Sequence, residues 1–325
     1  MIYLDNAATI KPSKKCVEIY NKYTEEFFNP SGIYAESIKV KNDIENTREL
    51  IKKSLGTTSG NFIFTSSATE ANNLAVWGSL KSNFKKFVFT MADHPSIYNI
   101  GVELKNKGYD VEFCPLSQDG QIDYEAFEKI LTKDTNFISI IHVSNETGAI
   151  NDLKRISNIK NRICPNALLH ADGVQAFGKI KVNLDYFGVD LYTISGHKMH
   201  AVKGVAGLYY KNNFIKPQIL GGGQEYNIRS GTENVGAIMT LKTAIEEIGD
   251  IQSNLAYVNT LKQKFVENLK DLPCSINSTN NNSPYVLSIT FRGVKGETLV
   301  HMMEQKGILI STGSACSSKK VGNRT

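Results

Sequence analysis

The chain has 325 residues, 41% of them hydrophobic and 21% charged, which is ordinary globular composition with room for about two domains. Its 37 Lys and Arg against 32 Asp and Glu leave a formal charge of +5, too small and too scattered for a nucleic-acid footprint. No apolar run approaches the roughly 20 residues that span a bilayer, and the N-terminal MIYLDNAATIKPSKK lacks the apolar core of a signal peptide. Five widely spaced cysteines form neither a CxxC pair nor a disulfide-dense pattern, so a reducing, cytoplasmic setting is expected.

Short β-rich apolar runs alternate with longer helical patterns. In chain order the pattern predicts a helix over 34–55, a strand over 62–65, a helix over 70–82 and a strand over 87–90. A helix over 97–107, a strand over 110–114, a helix over 123–131 and a strand over 137–142 follow. Next come a helix over 153–162 and strands over 168–171, 191–194 and 205–210. Strands separated by helices read as βαβ units around a mostly parallel sheet, an α/β fold. A long amphipathic stretch over 234–269 is broken only at Gly249 and Asp250. After an Asn/Ser-rich loop over 277–283 come a strand-like 285–291, a helix-like 297–306 and a short run 308–311. This change of rhythm points to a second, smaller α+β unit that also takes in the N-terminal strand. The expected division is 13–247 for the large domain and 1–12 with 248–325 for the small one.

Six segments hold residues capable of chemistry. In FIFTSSATEANN, Ser67 and Glu70 have the spacing of a capping box. The helix start there, with Ala68 and the hydroxyl of Thr69, would suit a phosphate, although an ordinary capped helix has the same signature. In LYTISGHKMH, a strand ends in Ser195, Gly196, His197 and Lys198, at the edge where open α/β sheets bind ligands. A lysine desolvated there becomes a nucleophile toward an aldehyde, and a solvated surface turn is the alternative. LLHADGVQ places Asp172 just past a strand, able to hold a cation or simply to cap a helix, with Gln175 one helical turn further on. SIIHVSNETG delivers Asn145 to the same edge, where it could equally be a turn residue. LGGGQEYNIRSGT offers close backbone approach, with Arg229 and Thr232 able to meet anions. Finally, Cys316 lies among small polar residues near Lys319 and Lys320, a context for an exposed thiol biased toward thiolate. Cys114 follows a β run and Cys16 lies in a helical pattern, so both fit small core residues.

Taken in register, these segments resemble the cysteine desulfurases of the NifS/IscS type, in the class V aminotransferase group of pyridoxal-phosphate enzymes. The motifs that carry the resemblance are YLDNAAT, NPS at Asn29, FTSSATE, Asn145-Glu146, HAD at His170, SGHK at Ser195, GGGQE and GSAC at Gly313. They span nearly the whole chain. The resemblance implies the aspartate aminotransferase-like fold type I and pyridoxal 5'-phosphate as cofactor, bonded to Lys198. It further implies Asp172 at the pyridinium nitrogen, Gln175 at the ring hydroxyl, and His94 stacked on the ring. Ala68, Thr69, Ser195 and His197 would hold the phosphate, joined by Thr232 from the partner of a homodimer. Asn145 would face the ring hydroxyl and the substrate carboxylate.

On the same basis Cys316 would accept sulfur from L-cysteine as a persulfide and leave L-alanine. It would pass that sulfur to an iron–sulfur scaffold or a thiolation carrier, with no nucleic acid or membrane involved. The sequence departs from the family at Tyr34, where a histidine is usual, and at Ala201-Val202-Lys203-Gly204, where Gly-Pro-Lys-Gly is usual. The family also continues for several dozen residues past the cysteine, including an arginine for the substrate carboxylate. No residue here matches that arginine, and neither Arg229 nor Arg324 is given its role. Two rival readings are a shortened cofactor-binding homologue acting as a scaffold and a related lyase acting on selenocysteine.

Overall fold

A computed structural model describes residues 1–212, 215–277 and 281–313. The elements in order are β1 (Ile2–Tyr3), α1 (Lys14–Glu25), α2 (Ala35–Ser54), β2 (Asn61–Thr65), α3 (Ala68–Ser79), β3 (Lys86–Thr90), α4 (Pro95–Asn106) and β4 (Asp110–Cys114). Next come α5 (Tyr124–Ile130), β5 (Thr135–Ile141), α6 (Leu153–Ile163), β6 (Leu168–Asp172), α7 (Leu184–Phe187), β7 (Leu191–Ser195) and β8 (Ala206–Tyr210). The last are α8 (Gln224–Asn227), α9 (Val235–Glu247), α10 (Ile251–Glu267), β9 (Cys274–Ile276), β10 (Ile289–Phe291), α11 (Gly296–Gln305) and β11 (Ile308–Leu309).

The central sheet has seven strands in the order β2-β8-β7-β6-β5-β3-β4. Only β8 runs against its neighbours, pairing antiparallel with both β2 and β7. The mostly parallel sheet expected from the sequence is therefore observed. Both faces are covered, as a parallel sheet requires. All five residues of β3 are buried, and they divide by side: Val88 joins the core under α1, α2, α6 and α9, whereas Phe87 and Phe89 join the core under α3 and α4. Cys16 and Cys114 are fully buried members of the first core, as their patterns predicted.

Most helix starts are set by side-chain caps that leave little choice of register. Ser13, Ser67, Asp123, Asp152, Asn234 and Asp250 each accept a backbone N–H of the following first turn. The long 234–269 pattern thus becomes α9 and α10, divided at the Gly249-Asp250 break. Helix α1 forms where the pattern around Cys16 reads as helical, although the sequence sets no bounds for it. Only Cys16 and Tyr23 are buried along it, so its apolar stripe is thin. The strand expected over 285–291 shortens to β10. Lys262 reaches across to the carbonyl of Val286, and Ser283 donates its backbone N–H to Gly148, drawing 283–286 into a turn. At the opposite end of the chain, β1 pairs in parallel with β11. Among the described residues no helix is long and apolar enough to cross a membrane, and no cluster suited to a metal ion occurs.

Two histidines are enclosed in the sheet region. His142 Nδ1 lies 2.7 Å from the Tyr192 hydroxyl, and His170 bridges Ser139 at 2.8 Å and Thr193 at 3.0 Å. Burial lowers His142 to about 3 and His170 to about 4. An unfolded histidine titrates near pH ~6.5, so between that pH and about 4 the unfolded chain binds protons that these folded imidazoles refuse. Stability must then fall as the solution is acidified through this window. Asp93, pushed up to about 8 by burial, acts in the opposite direction but is a single group. The urea midpoint should accordingly drop between pH 7 and pH 5, and His170→Gln should reduce that drop. A midpoint flat with pH would refute the assignment.

Candidate active site

The carboxyl edge of the parallel strands gathers the sequence-predicted residues. Strand β6 ends in Asp172, buried, with Oδ1 accepting from the N–H of Val174 at 3.0 Å and Oδ2 from Asn72 Nδ2 at 3.0 Å. The next residue must be glycine for steric reasons: a Cβ on Gly173 would lie 2.1 Å from the Tyr192 ring. Past β7, a single turn presents His197 and Lys198. Lys198 Nζ donates to the carbonyls of Ala7 and, at 2.7 Å, Ala8. Gln175 Nε2 donates to the same Ala7 carbonyl at 2.8 Å. The N-terminal turn over 5–9 is thus laid over the lysine, anchored by Tyr3 Oη to the carbonyls of Asp5 and Thr9 and by the N–H of Ile10 to the carbonyl of His197.

His94 caps α4 ahead of Pro95. Its Nδ1 accepts from the N–H of Ser96 at 3.2 Å, which places the ring proton on Nε2. Burial holds it below the ordinary histidine value, Asp172 pulls it upward, and Lys198 pushes it down again. His197, whose Nδ1 is 3.1 Å from Thr9 Oγ1, is lowered to about 4 by burial, with the charges of Lys198, Lys203 and Lys179 adding to the effect. Both rings are uncharged at neutral pH: one offers a flat face, the other an N–H donor.

Helix α3 begins at the same edge. Ser67 Oγ accepts from the N–H of Glu70 at 3.2 Å. Glu70 returns a bond to the N–H of Ser66 at 2.9 Å rather than to Ser67, so the expected capping box is displaced by one residue. The first bond of the helix ladder runs from Ala71 to Ser67. The N–H groups of Ala68 and Thr69 precede it and point out of the helix end, the geometry that favours an anion. Asn145 sits in the tight turn after β5, where Ser144 Oγ accepts from the N–H groups of Glu146 and Thr147.

One predicted residue lies elsewhere. Thr232 is exposed and lines a separate pocket of about 310 Å³ with Tyr23, Phe27, Phe28 and Glu233. Cys316 lies outside the described residues. Arg229 is engaged with Glu70, at 2.6 Å and 3.3 Å. Two neighbours had been passed over in the sequence: Asn72, which braces Asp172 while also donating to Ser96 Oγ at 2.8 Å, and Lys179, which donates to Gln175 Oε1 at 2.7 Å. Asn72 stands in the very segment read for its helix start, and Lys179 follows Gln175 by one helical turn.

The donor set is chemically coherent. It holds an acid for a pyridine nitrogen, an amine for an aldehyde, an uncharged ring to stack upon, and N–H and O–H donors for a phosphate monoester. These residues fit pyridoxal 5'-phosphate. Residues 2–324 match the family model described as aminotransferase class-V. The chain belongs to that family.

Among curated relatives, a cysteine desulfurase IscS of Dictyoglomus turgidum is 35% identical over 329 residues, covering 98% of this chain and 83% of that one. A cysteine desulfurase IscS 1 of Archaeoglobus fulgidus is 35% identical over 330 residues, covering 98% and 85%. A solved structure titled NifS-like protein superposes with a TM-score of 0.92 at 31% identity, covering 96% of this chain and 87% of that one. The expected fold type I of class V enzymes is thereby borne out.

A buried pair supports this edge from behind. Arg48 meets Glu225 at 2.8 Å and 3.1 Å, and Glu225 also accepts from the N–H of Phe64 at 2.8 Å. Removing one member of such a pair typically costs about 3–5 kcal/mol, because the other charge is left buried and unpaired. Arg48→Met should therefore lower the chemical-denaturation stability by that order, and Glu225→Met added to it should cost little more. A loss below about 1 kcal/mol, the range of a surface pair, would show the pair to be dispensable.

Proposed function

We propose that this chain is a cysteine desulfurase that loads pyridoxal 5'-phosphate at Lys198, takes sulfur from L-cysteine and releases L-alanine. The observation that carries the reading is the convergence of Lys198, Asp172, His94 and the α3 N-terminus on one sheet edge, in a chain whose relatives of that name match it over 98% of its length.

In this reading Asp172, held by Val174 and Asn72, keeps a proton on the ring nitrogen, and Gln175 donates to the ring oxygen. Ala68, Thr69, Ser195 and His197 hold the phosphate, and His94 covers one face of the ring. Pyridoxal phosphate supplies an electron sink for charge developing at the substrate α-carbon. Lys198, poised under the Ala7 and Ala8 carbonyls, takes the α-proton. Asn145 orients the substrate carboxylate. The Cys316 thiolate attacks the substrate sulfur, an S–S bond forming as the Cβ–S bond breaks; the electron pair of that bond stays with Cβ, which takes up a proton, and the organic remainder leaves as alanine. The persulfide then serves an acceptor protein of iron–sulfur or thiolation chemistry.

The chain is further proposed to act as a homodimer in which Thr232 serves the partner's phosphate site. Its pocket with Phe27 and Phe28 is set apart from Lys198, which supports that arrangement. The division into a cofactor domain over 13–247 and a small domain of 1–12 with 248–325 is proposed on the pairing of β1 with β11.

The test is to add pyridoxal phosphate, record the visible band, then supply L-cysteine and measure alanine and protein persulfide. Lys198→Ala should abolish the band and lower turnover by at least 10²–10⁴-fold, roughly the worth of a positioned acid–base group. Cys316→Ala should abolish the persulfide. Alanine formed at the wild-type rate by Cys316→Ala would remove the nucleophile from the scheme.

A further inference from the structure

We propose that Lys179 is a positioning residue of the cofactor site, fixing the Gln175 amide so that its NH₂ group faces the ring oxygen of pyridoxal phosphate. This deepens the functional reading above and rests on it.

A buried lysine on a sheet-to-helix turn is an expensive choice, since an ammonium removed from water needs a strong partner. Lys179 and Gln175 are 7% and 4% exposed. They stand four residues apart on a helical turn closed by the N–H of Phe177 to Gly173 and of Ile180 to Ala176. Gly178, at φ +76°, ends that turn in the left-handed conformation that favours glycine. Lys179 Nζ meets the Gln175 side chain at 2.7 Å. An ammonium has donors only, so the amide atom facing it must be oxygen. The amide nitrogen is then turned to the Ala7 carbonyl, to which it donates at 2.8 Å, beside the Lys198 amine that reaches the same carbonyl. An NH₂ group has two donors, and the second serves an oxyanion on the cofactor. A cation bonded to the amide oxygen polarises the group and makes that N–H a stronger donor.

The titratable groups bearing on Lys179 follow β7. Burial lowers Lys179 to about 7, the like charge of Lys198 adds to this, and His197 is uncharged at neutral pH. Both the charge of Lys179 and the donor it orients favour the anionic ring oxygen, so both lower the pH at which the loaded protein's visible band titrates.

The experiment follows that band with pH in the full chain loaded with pyridoxal phosphate, alongside the cofactor Kd from equilibrium dialysis and the Tm of the unloaded protein. In Lys179→Met the midpoint should rise by about 0.5–1 pH unit, the scale of one nearby charge or hydrogen bond. Cofactor affinity should fall several-fold while the unloaded Tm holds or rises. Gln175→Leu should raise the midpoint too, and adding Lys179→Met to it should raise it little further. Lys179→Arg, which keeps charge and donors, should stay near the wild-type midpoint. An unmoved midpoint in Lys179→Met, or fully additive shifts in the double variant, overturns the proposal. If Lys179→Met does not fold, an Arg variant displaced as far as Gln175→Leu overturns it as well. A wild-type chain that forms no visible band overturns the functional reading itself, which distinguishes the two failures.

Discussion

The site depends on one buried guanidinium. Arg48 projects from α2 into a buried layer where its charge is met by Glu225, which approaches from a backbone that few residues adopt. Glu225, Tyr226 and Asn227 have φ of 49°, 59° and 63°, a left-handed run costing about 1–2 kcal/mol per residue for L-amino acids. The return is a closed set of contacts. The guanidinium is sandwiched 4.8 Å from the Phe64 ring and 4.9 Å from the Tyr226 ring, and it also donates to the carbonyl of Phe62. The strained turn is thereby bonded to β2, and two residues beyond it Arg229 grips Glu70 in the first turn of α3. The anion-facing end of that helix is thus held from both sides by charge.

Electrostatics within the site follow one rule: acids are braced and imidazoles are kept neutral. Asp172 accepts two hydrogen bonds, one on each of its two oxygens. The positive charge sits on the lysines, while His94 and His197 supply shape and donors without adding to it. Such a division suits a ligand that brings a phosphate to one end and an aldehyde to the other.

Much of the large sheet was legible because its strands are short, apolar and punctuated by strong caps. Ser67, Asp123 and Asp152 each fixed a helix start within a residue or two, and the Gly249-Asp250 break fell where α9 and α10 separate. What escaped was either thinly patterned or tertiary. The bounds of helix α1 did not show, since it buries only Cys16 and Tyr23, although the pattern around Cys16 is helical. The shortened β10 reflects the reach of Lys262 across 24 residues to Val286, which no local window contains. The motifs identified Asp172, Gln175, Ser195, His197 and Lys198 as a group because each follows a strand end. Asn72 and Lys179 were hidden because their importance lies in touching those residues. The β8 reversal was equally invisible, since an apolar strand carries no mark of its direction.

The pairing of β1 with β11 sets an order of assembly. The carbonyls that cover Lys198 belong to Ala7 and Ala8, yet the strand that pairs beside them comes much later in the chain: Ser311, bonded to Asp5 at 2.7 Å, is 306 positions away. Until that strand emerges from the ribosome, the N-terminal turn has only local bonds and contacts with the sheet edge to hold it. Closing so long a loop costs entropy that grows slowly with length but must be met before the contact forms. The turn over Lys198 therefore has two tethers of different kinds, one to the sheet edge through Ile10 and His197 and one through Asp5 and Ser311, and only the second waits for the distant strand.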